Sequence, residues 1–245
     1  MNRKERTEQK VQELFHHPAA GDEGTDGEFM QILQGYIFGD VCFTGSLDNR
    51  LRELVTVTVL TTLSTLPQLK AHVQASLNAG CTPVEIREAV YQCAPFIGFP
   101  KTLNAIGAMN EVFAENGIEL PLPSQKTLTG ENDEERYQKG LKIQEPLYGT
   151  EIADRYTWLP GEFAQAVPRF LTELSFGDFQ RIYGDSPSVQ CAERVQGIVG
   201  SGRRWSYLNP LTEAGKCPVF LANVTFEPGC RNNWHGAKKD SWFSH

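Results

Sequence analysis

The sequence predicts a mainly α protein: a helical bundle over residues 28–117, more helix after it, and a partial β segment at the C-terminal end. Three observations lead there. Apolar residues recur at helical spacing through most of 28–117. Two capping signatures, Thr65-Leu-Pro-Gln68 and Thr82-Pro-Val-Glu85, mark helix starts inside that span. By contrast, VFLANVTFEPG at 219–229 alternates as a strand does and ends in a turn.

Taken in order, residues 1–20 read as an amphipathic helix ending near His16-His17-Pro18, and GDEGTDG (21–27) as a polar loop. Phe29, Ile32, Leu33 and Ile37 give residues 28–38 a helical period. FGDVCFTGSLD is a turn-rich connection. Leu51 to Leu63 is apolar at most positions and breaks at Ser64–Pro67. The next helix starts from the Thr65 box, carries Leu69, Val73 and Leu77 on one face, and stops at Asn78-Ala-Gly80. The Thr82 box opens a helix through Ile86, Val90 and Cys93, which Phe99-Pro100 interrupts. Leu103, Ile106, Met109, Val112 and Phe113 mark a further helix closed by Asn116-Gly117. Residues 118–131, with two prolines, read as a linker. RYQKGLKIQEPLYG, from Arg136, then echoes RTEQKVQELFHHP, from Arg6, and SFGDF (175–179) echoes IFGDV (37–41). The expected organisation is a helical domain over 1–120, an incomplete second copy over 132–182, and a distinct segment over 185–245.

Bulk properties narrow the function. At 245 residues, 40% hydrophobic and 22% charged, the chain has the composition of a soluble globular protein. A net charge of −7 argues against binding a phosphate backbone, so no nucleic-acid partner is expected. No apolar run approaches the roughly 20 residues of a membrane span, and the charged start MNRKERTEQK lacks the apolar core of a signal peptide. The expectation is a cytoplasmic protein without membrane contact. The six cysteines, at 42, 81, 93, 191, 217 and 230, include no C-x-x-C and no zinc-binding pattern, so they read as free thiols.

The stretch RELVTVTVLTTLSTLPQLKAHVQAS (52–76) holds one acid, Glu53, and one imidazole, His72, nineteen positions apart. A helix ending at Ser64–Pro67 and a new one beginning there would bring the two onto facing surfaces, within hydrogen-bond or one-water reach. Against a shared site stands a plainer reading. An acid in the first turn of a helix is favoured by the dipole alone, and a core histidine can simply donate to a carbonyl. Asp40 and Cys42, in FGDVCF, precede the Glu53 helix and are candidates for the same pocket, with turn formation and packing as their plainer roles.

Arg52-Glu53-Leu54-Val55-Thr56, followed by LPQLKAHVQASLNAGCTPVEIREAVYQCAPFIGFPKTLNAI, resembles the carboxymuconolactone decarboxylase family, which includes alkylhydroperoxidase D-like proteins. The resemblance covers residues 28–117 and implies a helical bundle of that type. The peroxidase branch places two cysteines twelve and fifteen residues after the glutamate and a histidine nineteen after it. Here those positions are Thr65, Gln68 and His72. Thiol peroxidase chemistry needs a thiolate to attack peroxide and a second thiol to resolve the sulfenic acid, and neither Thr nor Gln supplies one. What the resemblance then implies is a decarboxylase-like enzyme in which Glu53 and His72 carry acid–base chemistry on a small organic acid or lactone, with no cofactor. It also implies a homo-oligomer, a trimer or hexamer. The competing expectations are a peroxiredoxin-like antioxidant protein and a catalytically silent oligomerising module.

NVTFEPGCRNNWH resembles the first metal motif of a cupin barrel: Gly229 and His235 fit, but Ala237 stands where the second histidine belongs. WHGAKKDSWFSH is similar to a later cupin segment, so 185–245 reads as a truncated cupin-like segment. His235 and His245 do not make a three- or four-ligand site, and no metal is expected.

Overall fold

The computed structural model describes residues 1–21, 23–125 and 132–179, and among them it is helical, with no strand. The β reading of 219–229 and the whole cupin-like segment lie outside the described residues.

Helix α1 (Arg3–Phe15) starts from a capping box between Asn2 and Glu5 and ends where His16 turns left-handed at φ 58°. Helix α2 (Gly27–Gln34) runs directly into a π-helical stretch, Gly35–Asp40, and a short 3₁₀ turn, Val41–Phe43. The π-helix packs against α1 so closely that a Cβ on Gly39 would meet Thr7 Oγ1 and, at 3.0 Å, the Arg3 carbonyl oxygen. Arg3 Nε and Arg6 Nη2 reach Asp40 at 2.8 and 3.3 Å across this contact. The apolar period read over 28–38 faces outward in part: Phe29 and Ile32 are 63% and 60% exposed, whereas Phe38 is buried.

The bundle proper is α3 (Asn49–Leu63), α4 (Leu66–Asn78), α5 (Pro83–Tyr91), α6 (Ala94–Ile97) and α7 (Phe99–Glu115). Its core joins Leu54 and Val57 of α3, Leu69 and Val73 of α4, Ile86 and Val90 of α5, and Met109, Val112 and Phe113 of α7. Leu103, one of the apolar residues that mark this helix in the sequence, is exposed, while Thr102 and Ala105 of the same turn are buried. A second cluster seats Val11 and Leu14 of α1 and Phe38 of the π-helix on Ala75 of α4. The N-terminal hairpin is thereby fastened to the helix that carries His72.

The helix boundaries test the capping arguments one by one. The Thr82/Glu85 box forms in full and Arg50 Nη2 of α3 grips the same Glu85 at 2.7 and 2.9 Å. The Thr65/Gln68 box does not form: the Thr65 hydroxyl donates to the Leu60 carbonyl at 3.4 Å instead. The reason lies one residue earlier. Ser64 adopts the left-handed conformation at φ 58°, and the Thr65 amide folds back to Leu60 at 3.2 Å. This Schellman-like closure of α3 uses up Thr65 before α4 begins. The break near residue 99 also falls elsewhere: Gly98 takes φ 85° and Phe99-Pro100 opens α7, a favoured place for proline.

Residues 133–179 form α8 (Asp133–Tyr148), α9 (Glu151–Arg155), α10 (Phe163–Leu171) and a second π-helix, Thr172–Phe179. Arg136 grips Asp178 through two bonds of 3.1 and 2.8 Å, and Tyr148 meets Phe176 edge-on at 5.8 Å. These contacts parallel Arg3–Asp40 and Phe15–Phe38, the latter edge-on at 5.4 Å. The parallel pairs set Arg136 against Arg3, three residues earlier in the chain than the Arg6 of the sequence echo. The Gln92 side-chain amide of the bundle donates to the Phe179 carbonyl.

Candidate active site

Glu53 and His72 face each other across the α3–α4 contact. His72 Nδ1 lies 2.7 Å from Glu53 Oε2. The closure at Ser64 makes this possible: it reverses the chain within two residues, so that α4 runs back along α3. Glu53 is 1% exposed and is among the largest fully buried side chains of the described residues. The His72 side chain keeps a fifth of its surface. Phe15, at the end of α1, stands edge-on to the imidazole at 5.5 Å.

Both plainer readings fail on this geometry. Helix α3 begins at Asn49 behind an Asp48 cap, so Glu53 lies beyond the first turn and outside the reach of the helix N-terminus. His72 Nδ1 meets a carboxylate and not a backbone carbonyl. A carboxyl so deeply buried requires a hydrogen-bonding partner, and among the described residues His72 is the partner found. With Nδ1–H donated to Glu53, Nε2 is the nitrogen left to act, and no described residue bonds it. A buried carboxyl that bonds one nitrogen of an imidazole and leaves the other unbonded is an arrangement able to move one proton.

Asp40 does not join this pair, since Arg3 and Arg6 hold it at the surface of the hairpin. Cys42 does come near. It packs beside the cluster of Val11, Leu14, Phe38 and Ala75, within electrostatic range of Arg52, Lys10 and Glu53. Burial pushes its thiol pKa up although Arg52 and Lys10 pull it down, so it is not a thiolate at neutral pH. Cys81 is likewise raised by burial, to about 11, and Cys93 lies buried in the core. Thr65 and Gln68 lie at the start of α4, Gln68 one turn before His72. Among the described residues, no group of three or more His, Cys, Asp or Glu could hold a metal ion.

Two neighbours of the pair escaped sequence reasoning. Phe15 belongs to α1, outside the 52–76 stretch, and only the packing of α1 on α4 brings it to His72. Arg52 adjoins Glu53, but nothing in RELVT distinguishes a solvated arginine from one whose Nη2 reaches back to the Cys42 and Leu47 carbonyl oxygens at 3.4 and 3.3 Å.

Comparison of the sequence with known proteins finds relatives of this chain. Residues 27–111 match the carboxymuconolactone decarboxylase family. Over 91 residues the chain is 31% identical to the 4-carboxymuconolactone decarboxylase of Acinetobacter baylyi, an alignment spanning 37% of this chain and 68% of that protein. Over 84 residues it is 34% identical to an uncharacterized 15.0 kDa protein in the nqo9-nqo10 intergenic region of Paracoccus denitrificans, covering 34% of this chain and 63% of that protein.

Proposed function

The chain belongs to the carboxymuconolactone decarboxylase family, and from that premise we propose that it is a decarboxylase-like enzyme in which Glu53 and His72 perform acid–base chemistry on a small organic acid or lactone. The observation that carries the reading is the 2.7 Å contact between His72 Nδ1 and the buried Glu53 carboxylate. In the proposed step, the C–C bond to a substrate carboxylate breaks and CO₂ leaves. The electron pair left on carbon spreads into a conjugated carbonyl. His72, as the imidazolium, delivers a proton from Nε2 to carbon, and solvent returns it. Glu53 remains a carboxylate throughout, holding the ring and stabilising its charge. Phe15 shields one edge of the ring from water, which strengthens that charge interaction.

Thiol peroxidase chemistry is the less favoured reading. Thr65 and Gln68 replace the two cysteines, and the three cysteines among the described residues are buried or half-buried. Residues 132–182 are read as an incomplete second copy of the domain, on the strength of the Arg136–Asp178 and Tyr148–Phe176 pairs. Self-association, as a trimer or hexamer, and a cytoplasmic location belong to the same proposal. Exposed Phe29, Ile32 and Tyr36, one helical ridge, support the former. No helix among the described residues is long and apolar enough to cross a membrane. The test is CO₂ release from a panel of carboxylated lactones. The wild-type chain releases it and His72→Ala does not; equal release by both, or none by either, refutes the proposal.

A further inference from the structure

Eight arginines fall among the described residues, and seven of them, Arg3, Arg6, Arg50, Arg87, Arg136, Arg155 and Arg169, sit in ion pairs with acids. The eighth is Arg52, next to Glu53. Its Nη2 reaches two backbone carbonyls near the long end of hydrogen-bond range, at 3.4 and 3.3 Å. Its Nε is buried with no acceptor at all. A guanidinium is always charged and presents its donors as a fork matched to a carboxylate. Leaving a buried donor of that group unsatisfied is costly unless an occupant of the site supplies the acceptor.

The position of Arg52 relative to the Glu53–His72 pair follows from Cys42. The carbonyl of Cys42 receives Arg52, its thiol feels the charges of both Arg52 and Glu53, and its side chain packs, as Phe15 does, against the cluster of Val11, Leu14, Phe38 and Ala75. Phe15 in turn touches the His72 ring. One wall, the cluster of Val11, Leu14, Phe38 and Ala75, therefore carries Arg52 through Cys42 and His72 through Phe15. The other cation on this wall, Lys10, is already engaged by Glu13 and Asn49 at 2.7 and 2.9 Å, and is not spare.

We propose that Arg52 is a specificity-determining residue of this site, binding a substrate carboxylate that is retained in the reaction. The inference rests on the reading above for the location of the site and adds a selection rule to it. A carboxylate that leaves as CO₂ loses its charge on the way to the transition state, so holding it on an arginine would oppose the reaction. The retained carboxylate is the one that profits. Arg52 would anchor it and leave the departing group on the side of the apolar Phe15, away from the guanidinium.

The experiment is equilibrium binding by calorimetry, with the full chain and two probes: γ-butyrolactone-γ-carboxylate and its methyl ester. Binding of the acid weakens roughly ten- to a hundredfold in Arg52→Gln, as expected for a lost charged hydrogen bond. Binding of the ester is unchanged, and Arg52→Lys falls between. The ester is the control for folding, since loosening of the 42–47 segment would weaken both probes together. Equal weakening of acid and ester, unchanged acid binding in Arg52→Gln, or a wild-type chain that binds no acid each overturns the inference. His72→Ala separates the two claims: it keeps Arg52-dependent acid binding, so that binding can stand while the proton-transfer proposal falls, or the reverse.

Discussion

Removing the imidazole of His72 should destabilise the protein more than neutralising Glu53 does. In His72→Ala, the Glu53 carboxylate, 1% exposed, loses the partner at 2.7 Å. Removing the hydrogen-bond partner of a buried charge costs about 3–5 kcal/mol because the charge is left uncompensated. The His72 side chain is 20% exposed, and water entering the vacated space recovers part of this. The expected cost is therefore about 2–3 kcal/mol. Glu53→Gln keeps the shape and an acceptor oxygen for Nδ1–H, and surrenders only the excess of a charged over a neutral bond, roughly 1 kcal/mol. Urea unfolding at neutral pH measures both. With a slope of about 1–3 kcal/mol per molar urea, His72→Ala should lower the midpoint by roughly 1–2 M and Glu53→Gln by about half as much or less. In the double variant Glu53→Gln/His72→Ala, the charge penalty disappears, so the two single costs should not add. A cost below about 0.5 kcal/mol for His72→Ala, or strict additivity, would refute the description of Glu53 as a buried charge that depends on its imidazole.

Ser64 holds a left-handed turn at φ 58° and buries a hydroxyl without a partner; Ser64→Gly should therefore raise stability by about 1 kcal/mol in urea unfolding, and a loss would show that the turn is unstrained. Burial lifts the Cys81 pKa from 9.0 to about 11. The fold favours the protonated thiol, so its contribution to stability is full below pH 9 and is lost as pH rises through 11. Unfolding free energy should fall over that window and the fall should flatten in Cys81→Ala; iodoacetamide labelling of native Cys81 at pH 9 as fast as that of a free thiol would contradict this. The wild-type chain should show no dithiol-dependent peroxide turnover, whereas Thr65→Cys/Gln68→Cys should gain some. The new pair would lie in the first turn of α4, where the helix N-terminus favours a thiolate, and one turn before His72. Thiol-dependent turnover already present in the wild type would show that Cys42, Cys81 or Cys93 does what its burial argues against, or that a cysteine outside the described residues reacts.

Much of the bundle was legible because local chemistry and packing agree there. Thr82-Pro-Val-Glu85 caps a helix whose inner face, Ile86 and Val90, is buried. Thr65-Leu-Pro-Gln68 carries the same signature and fails. The competing signal, a serine in a left-handed turn, has no sequence mark, since glycine is the usual occupant of that conformation. The outward ridge of Phe29, Ile32 and Tyr36 shows the other limit: periodicity reveals an apolar face but not what covers it. The approach of Glu53 to His72 was readable from the break at Ser64–Pro67, because two helices and one tight reversal suffice to join them, whereas their reading as a site rested on the family resemblance. Phe15 and the bonding of Arg52 were not, since both depend on how the N-terminal hairpin and the 41–48 connection lie over α3 and α4. The register of the 133–179 hairpin needed the Arg136–Asp178 and Tyr148–Phe176 contacts, because the echo of short similar runs sets Arg136 against Arg6 and not Arg3.

The central claim is that Glu53 and His72 act as one proton-transferring unit. It is tested most directly by the kcat for CO₂ release in Glu53→Gln, His72→Ala and the double variant, on whichever carboxylated lactone the wild type turns over. Residues acting as a unit give losses that do not multiply. His72→Ala should lower kcat by roughly a hundred- to ten-thousandfold, the usual scale for a general acid, and adding Glu53→Gln should lower it no more than about threefold further. Losses that multiply, or a His72→Ala variant that retains wild-type kcat, would contradict the account.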